Sequence, residues 1–185
     1  MRKTLRFSCV ALLAALLGVA APAQIKQFTL EEITQVADNS VYGEIVAARV
    51  FRSDGPQEPN FYFTRLTIEG RSMADGRPMT VDVLFHGGFI DENHGVFNSE
   101  APSADDVRVG KRVVAFYKWA DDMGGGVRGN ALVAAHGGLF RTVEGPRGTA
   151  VLGRGEGYAI KKNLRMEHLE TAVADLYRIK QQSKR

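Results

Sequence analysis

Three of the four histidines sit in company that could do chemistry. His86 and His136 each precede a glycine pair, as His86-Gly87-Gly88-Phe89 and His136-Gly137-Gly138-Leu139. Between them lies Asp91-Glu92-Asn93-His94. Imidazole and carboxylate together suit a divalent cation, so the set a metal would use is His86, His94, His136, Asp91 and Glu92. A metal-bound water would then be the nucleophile of a hydrolase. The spacing matches no strong ligand motif, such as two histidines one helical turn apart. His86-Gly87-Gly88 also has the form of an esterase oxyanion loop, and Gly70-Arg71-Ser72-Met73-Ala74 begins like a nucleophile elbow. Its fifth residue is Ala, no helix pattern follows, and Asp75-Gly76 turns the chain instead. Gly153-Arg154-Gly155-Glu156-Gly157 lacks the Lys-Ser/Thr of a phosphate loop and the βαβ context of a dinucleotide loop. It reads as a flexible connector. The plainer reading is favoured throughout: histidines at strand ends and turns, no cofactor, no metal and no assigned catalytic residue.

The basic balance of the chain comes from its first residues. Arg2, Lys3 and Arg6 precede an apolar run from Val10 to Ala20 and the small-residue site Ala21-Pro22-Ala23. That is the pattern of a secretory signal peptide over residues 1–23. Its removal takes three basic residues from 24 and leaves 21 against 21 acidic ones. A mature chain of zero net charge offers no electrostatic footprint for nucleic acid. The one cysteine, Cys9, falls inside the signal. It precedes the apolar run, so it is not a lipid-anchor cysteine, and the mature chain has no disulfide. The signal's apolar run is too short to span a bilayer, and no longer one follows it. Residues 24–185 suit one domain, exported to the periplasm or the medium with no stable membrane anchor.

Periodicity then places the candidate residues. Thr29 and Glu32 form a capping box ahead of a short helix with Leu30, Ile33 and Val36 as its stripe. Strands follow at Val41–Phe51, Phe61–Glu69, Met79–His86, Arg112–Trp119 and Ala131–Ala135, with short additions at Leu139–Val143 and Thr149–Leu152. In the third, Met79, Val81, Val83 and Phe85 share the core face, which leaves His86 pointing to solvent. Asp54-Gly55-Pro56, Asp75-Gly76, Gly124-Gly125-Gly126 and Gly145-Pro146 mark turns. A helix over 164–180 ends the pattern, with Leu169, Val173, Leu176 and Ile179 as its stripe. Lys161, Lys162, Arg165, Arg178, Lys180, Lys184 and Arg185 make a basic end that reads as a solvated face. Short strands with Gly-rich turns and no βαβ rhythm predict a mainly β fold: a small OB-like Greek-key barrel over about 40–152, with a short N-terminal helix and a C-terminal helix over barrel ends or an edge.

Ala37-Asp38-Asn39-Ser40-Val41-Tyr42-Gly43-Glu44-Ile45-Val46, then Tyr62-Phe63-Thr64-Arg65-Leu66-Thr67-Ile68, then Val109-Gly110-Lys111-Arg112-Val113-Val114-Ala115-Phe116, then Gly137-Gly138-Leu139-Phe140-Arg141 follow one another in this order. That order resembles a broad group of uncharacterised exported bacterial proteins with an OB-like β-barrel. More distantly it is similar to the netrin-like barrel of tissue inhibitors of metalloproteinases. The resemblance implies the barrel over Leu30 to Val143. It does not imply the inhibitory mechanism, which uses an N-terminal cysteine on the protease zinc, whereas the mature chain would begin at Gln24.

OB-like barrels often bind nucleic acid through aromatic and basic residues on one face. Phe61, Tyr62, Phe63, Arg65, Tyr117 and Lys118 supply those types, but alternation sends several of the rings inward. The expected function is an exported, non-catalytic interaction module for an envelope or extracellular protein or a surface polymer. The alternative is a metal-dependent or esterase-like hydrolase using the histidines.

Overall fold

The computed structural model describes residues 27–53 and 61–183. The expected signal peptide with Cys9, the Asp54-Gly55-Pro56 turn, and Lys184 and Arg185 lie outside the described residues. Among the described residues the chain runs from helix α1 (Leu30–Val36) through β1 (Asn39–Arg52), β2 (Tyr62–Ser72), β3 (Pro78–His86), β4 (Gly88–Phe89), β5 (Gly95–Val96), β6 (Arg112–Ala120), β7 (Gly129–Leu132), β8 (Leu139–Gly145), β9 (Gly148–Val151) and β10 (Leu164–Arg165) to helix α2 (Met166–Gln182). No helix among them is long and apolar enough to cross a membrane.

Five strands close a barrel. Their hydrogen-bonded order is β1-β2-β3-β7-β6, and β6 pairs back onto β1. This is the OB-like barrel that the strand pattern predicts. Four seams are antiparallel. The fifth, β3 to β7, is parallel and joins only Val83 to Asn130 and Leu84 to Ala131. Closure depends on β1, which pairs β6 over Asn39–Glu44 and β2 over Val41–Arg52. Gly43 lies opposite Gly70, and the register slips between Ile45 and Ala47. That bulge at Val46 bends the strand and ends its pairing with β6.

Two cores result. Val41, Ile45, Leu66, Ile68, Val83 and Phe85 fill the barrel with Val113, Ala115 and Leu139. The second core lies outside the barrel wall, where Tyr42, Val114, Phe116 and Phe140 meet Ile33 of α1 and Leu169, Val173 and Tyr177 of α2. The helices therefore cover the outer wall rather than the barrel ends or an edge. The reason is visible in β6 and β8, which carry apolar residues on both faces: Val113 and Ala115 turn inward while Val114 and Phe116 turn outward.

The capping box of α1 forms as expected, with Thr29 N donating to Glu32 Oε2 at 2.7 Å and Glu32 N to Thr29 Oγ1 at 3.1 Å. Its buried face is Ile33, Thr34 and Ala37, whereas Val36 is exposed. On α2 the buried face is Met166, Leu169, Val173 and Tyr177, and Ile179 faces solvent. Lys180 does not join a solvated face: its Nζ donates to the Thr34 and Ala37 carbonyls. It thereby supplies a cation where the last carbonyls of α1 need a donor. The glycine-rich connector before α2 is held in place. Arg154 N donates to Ile160 O, Gly155 N to Lys161 O, and Gly153 N to Asn163 Oδ1. The fifth barrel strand stops at Leu132, and Ala135–Gly138 form a 3-10 turn.

Candidate binding face

The candidate metal ligands do not converge. His86 ends β3, Asp91, Glu92 and His94 sit in the β4–β5 turn, and His136 sits in the 3-10 turn. Among the described residues no three His, Cys, Asp or Glu side chains form a group that could hold a metal ion. Asp91 and His94 do meet, at 2.8 Å between Oδ1 and Nδ1. The Asp91 carboxylate also accepts from the backbone N–H groups of Asn93 and His94. These bonds, the Asn93 amide first, hold the Asp91 carboxyl below the usual aspartate range. The pair shapes a turn. Among the described residues, Ser72 ends β2 and hydrogen-bonds to Asn39 and to the Ala74 N–H rather than to a histidine.

His136 belongs to a constellation that spacing did not reveal. Its Nδ1 lies 2.9 Å from the Glu100 carbonyl, which can only accept, so Nδ1 carries the proton. In the neutral ring Nε2 then accepts from the Tyr158 hydroxyl, also at 2.9 Å. Arg154 donates to the His136 and Leu139 carbonyls. Its guanidinium stands 5.4 Å from the Tyr158 ring centre and 3.6 Å from the buried Asp106, which Arg141 reaches at 2.9 Å. Ala134 and Ala135 ahead of it have φ of 53° and 48°. Such left-handed residues cost about 1–3 kcal/mol each and persist where surroundings hold them. Every polar atom of the His136 ring is engaged within the fold. The network ties the 3-10 turn to the 97–111 loop and to the connector, and it leaves no ring nitrogen for a substrate.

The open chemistry is on the outer face where β1 and β3 end and β2 begins. Phe51, Phe63 and His86 are register partners across these three strands. The Phe51 and Phe63 rings lie 5.7 Å apart, Phe63 and His86 lie 4.6 Å apart, and Phe61 approaches both at 6.4 and 6.2 Å. Arg65 stands 5.1 Å from the Phe51 ring centre. Phe63 is fully buried although it points away from the barrel interior. Neighbouring rings cover it, one of them His86. As the alternation predicts, His86 is exposed on the outer face, but one side of its ring lies on Phe63, and this partial burial lowers its pKa below the usual histidine value.

His86→Ala is accordingly expected to cost about 1 kcal/mol, since aromatic pairs contribute about 0.5–1.5 kcal/mol beyond area. The sign with pH follows from the depressed pKa. The unfolded chain takes up the proton more readily, so this contribution is present above about pH 6.5 and is lost as pH falls toward the folded-state value. His86→Phe keeps the packing without the proton. Its stability advantage over the natural protein, measured by denaturation, should widen from pH 7 to pH 5. A constant gap would contradict the assignment.

A hairpin leaves this face directly from His86. Its base is fixed by Thr64 Oγ1 donating to Gly87 O at 2.7 Å, Gly87 N to Tyr62 O at 2.8 Å, and Asn98 Nδ2 to His86 O at 3.0 Å. Gly88, with φ of 124°, approaches Thr64 and Val50 so closely that a Cβ would fall 2.5 Å from Thr64 Oγ1. On this anchored hairpin and the two residues beside it, Phe89, Ile90, Val96 and Phe97 are 55, 51, 47 and 79% exposed. The β6–β7 loop joins the same end. Ser53 Oγ donates to Gly125 O at 2.8 Å, and Phe61 packs on Gly124. The apolar residues after Gly87-Gly88 are the available sequence signal, but the acidic turn Asp91-Glu92-Asn93-His94 splits them into two short pieces. No family model matches the chain, and neither a curated protein nor a solved structure matches it.

Proposed function

We propose that this chain is an exported, non-catalytic interaction module that docks an envelope or extracellular protein, or a surface polymer, on the β4–β5 end of its barrel. The observation that carries the reading is the cluster of Phe89, Ile90, Val96 and Phe97, exposed on a hairpin whose base is hydrogen-bonded to β2 and β3. Contiguous exposed apolar residues on a rigid scaffold mark interaction sites, and aromatic side chains dominate the central energetics of such contacts. The location agrees. OB barrels bind ligands on the face of their second and third strands and on the loops joining strands one to two and four to five. Among the described residues those are β2, β3 and the β6–β7 loop. That support is analogy of fold. The signal-like residues 1–23 support export, and the resemblance to exported OB-like and netrin-like barrels supports the same class. Zero net charge after residue 23 favours a protein or polymer over nucleic acid.

The test uses immobilised mature protein with envelope and culture fractions. The natural protein should retain a discrete partner. Phe89→Ser/Phe97→Ser should lose it while its melting temperature changes little, because both side chains are more than half exposed. Equal retention by the double variant would overturn the reading.

A further inference from the structure

The second half of β1 has one partner where the first half has two. Val41–Glu44 pair with β2 on one side and β6 on the other, but Ala47–Arg52 pair with β2 alone. The Ser53 N–H donates to the Phe61 carbonyl, so odd-numbered residues here turn their backbone groups toward β2. Ala48 and Val50 consequently aim their N–H and C=O groups away from the sheet. Among the described residues no strand pairs with them on that side. Val46, Ala47, Ala48 and Arg49 are exposed in succession, so both faces of this edge meet solvent. Long open edges are usually blunted, because they template pairing with another chain. The small residues Ala47 and Ala48 leave this one unobstructed.

We infer that the Ala48–Val50 edge of β1 receives an extended acidic segment of the partner as an added β-strand. The inference deepens the binding-module reading and rests on it. Charge supplies the choice of occupant. Arg49 lies directly opposite Arg65 in the register, and no acid pairs with it among the described residues. Among the described residues the acid paired with Arg65 is Asp82, at 3.9 Å. Like charges placed opposite one another disfavour a sheet, and an acidic residue on an added strand beside Arg49 would relieve that. Two positions along on the same face is Phe51, so the complementary strand carries an acid and an apolar residue two apart. A second copy docking antiparallel, edge to edge, would instead bring Arg49 toward its own equivalent, which adds repulsion. Backbone bonds along the edge would give affinity, and alternate side chains would give selectivity.

The probe is a fluorescein-labelled nine-residue peptide of alternating Thr and Val, with one Asp and one Phe two positions apart. A control peptide carries Lys in place of Asp. The mature protein should bind the acidic peptide at least tenfold more tightly than the control. Hydrogen exchange should show the Ala48 and Val50 amides protected only when that peptide is bound. Arg49→Glu should reverse the preference, and its exposed position lets it fold. Absence of binding, binding without protection of these amides, or an unchanged preference in Arg49→Glu would each overturn the inference. So would protection of the same amides without peptide, together with a dimer in sedimentation, because the occupant is then a second copy. If the peptide fails while Phe89→Ser/Phe97→Ser still loses its partner, the edge assignment falls and the binding-module reading stands.

Discussion

Gly70→Ala is expected to leave little folded protein. A Cβ at Gly70 would lie 2.1 Å from the Tyr42 carbonyl oxygen and 2.4 Å from the Gly43 Cα. Both are backbone atoms, so no side chain can swing aside. The strand cannot shift either, because Tyr42 and Gly43 pair with β2 on one side and with Val114 and Val113 of β6 on the other. Displacing β1 from β2 would open the seam that closes the barrel. Overpacking of a core usually costs about 1–3 kcal/mol. Here the only relief is loss of ladder pairing, so the cost should exceed about 4 kcal/mol, a large part of the 5–15 kcal/mol of a typical domain. Gly76→Ala is the control. Gly76 has φ of 74° with nothing within 4 Å of its Cβ position, so only the left-handed backbone costs, at about 1–2 kcal/mol. Urea denaturation of both should show a collapse for Gly70→Ala and a modest loss for Gly76→Ala. Similar midpoints for the two would contradict the account of the barrel's bend.

Phe85→Ala should be the next most damaging change, at about 3–5 kcal/mol. Phe85 is 6% exposed inside the barrel and lies opposite Thr64 of β2. Its removal leaves a void among Val83, Leu66 and their neighbours that close-packed strands cannot collapse to fill. His86, one residue on and on the other face, should cost several times less. Chemical denaturation of the pair therefore checks the face assignment of β3. Equal losses would place both side chains in one core, contrary to the strand's alternation.

That alternation made β3 easy to read, with Val81, Val83 and Phe85 buried as the period of two requires. The closed barrel was legible for the same reason, since its strands are marked by β-branched runs and glycine turns. Environment was harder to read than face. Phe63 sits on an outward position yet is fully buried by Phe51, Phe61 and His86, because three strand ends and a loop bring rings together there. Similarly, β6 and β8 carry apolar residues on both faces, which a single-core reading cannot place. The His136 network was hidden because its partners, Glu100, Arg154 and Tyr158, come from other loops with no shared spacing. The β4–β5 strands are two residues each, too short for any period to appear. Helix α2 kept its period, but its stripe is rotated toward Tyr177 and away from Ile179 because α1 and the β9–β10 edge lie on that side.

The claim that the β4–β5 end is where this protein works can be tested by photo-crosslinking from within the exported protein. A benzophenone amino acid placed at Phe97 in one form and at Arg178 of α2 in another reports on two exposed but separate surfaces. The account predicts one discrete covalent partner from position 97 and none from position 178. The same products from both positions, or a partner captured only from position 178, would contradict it.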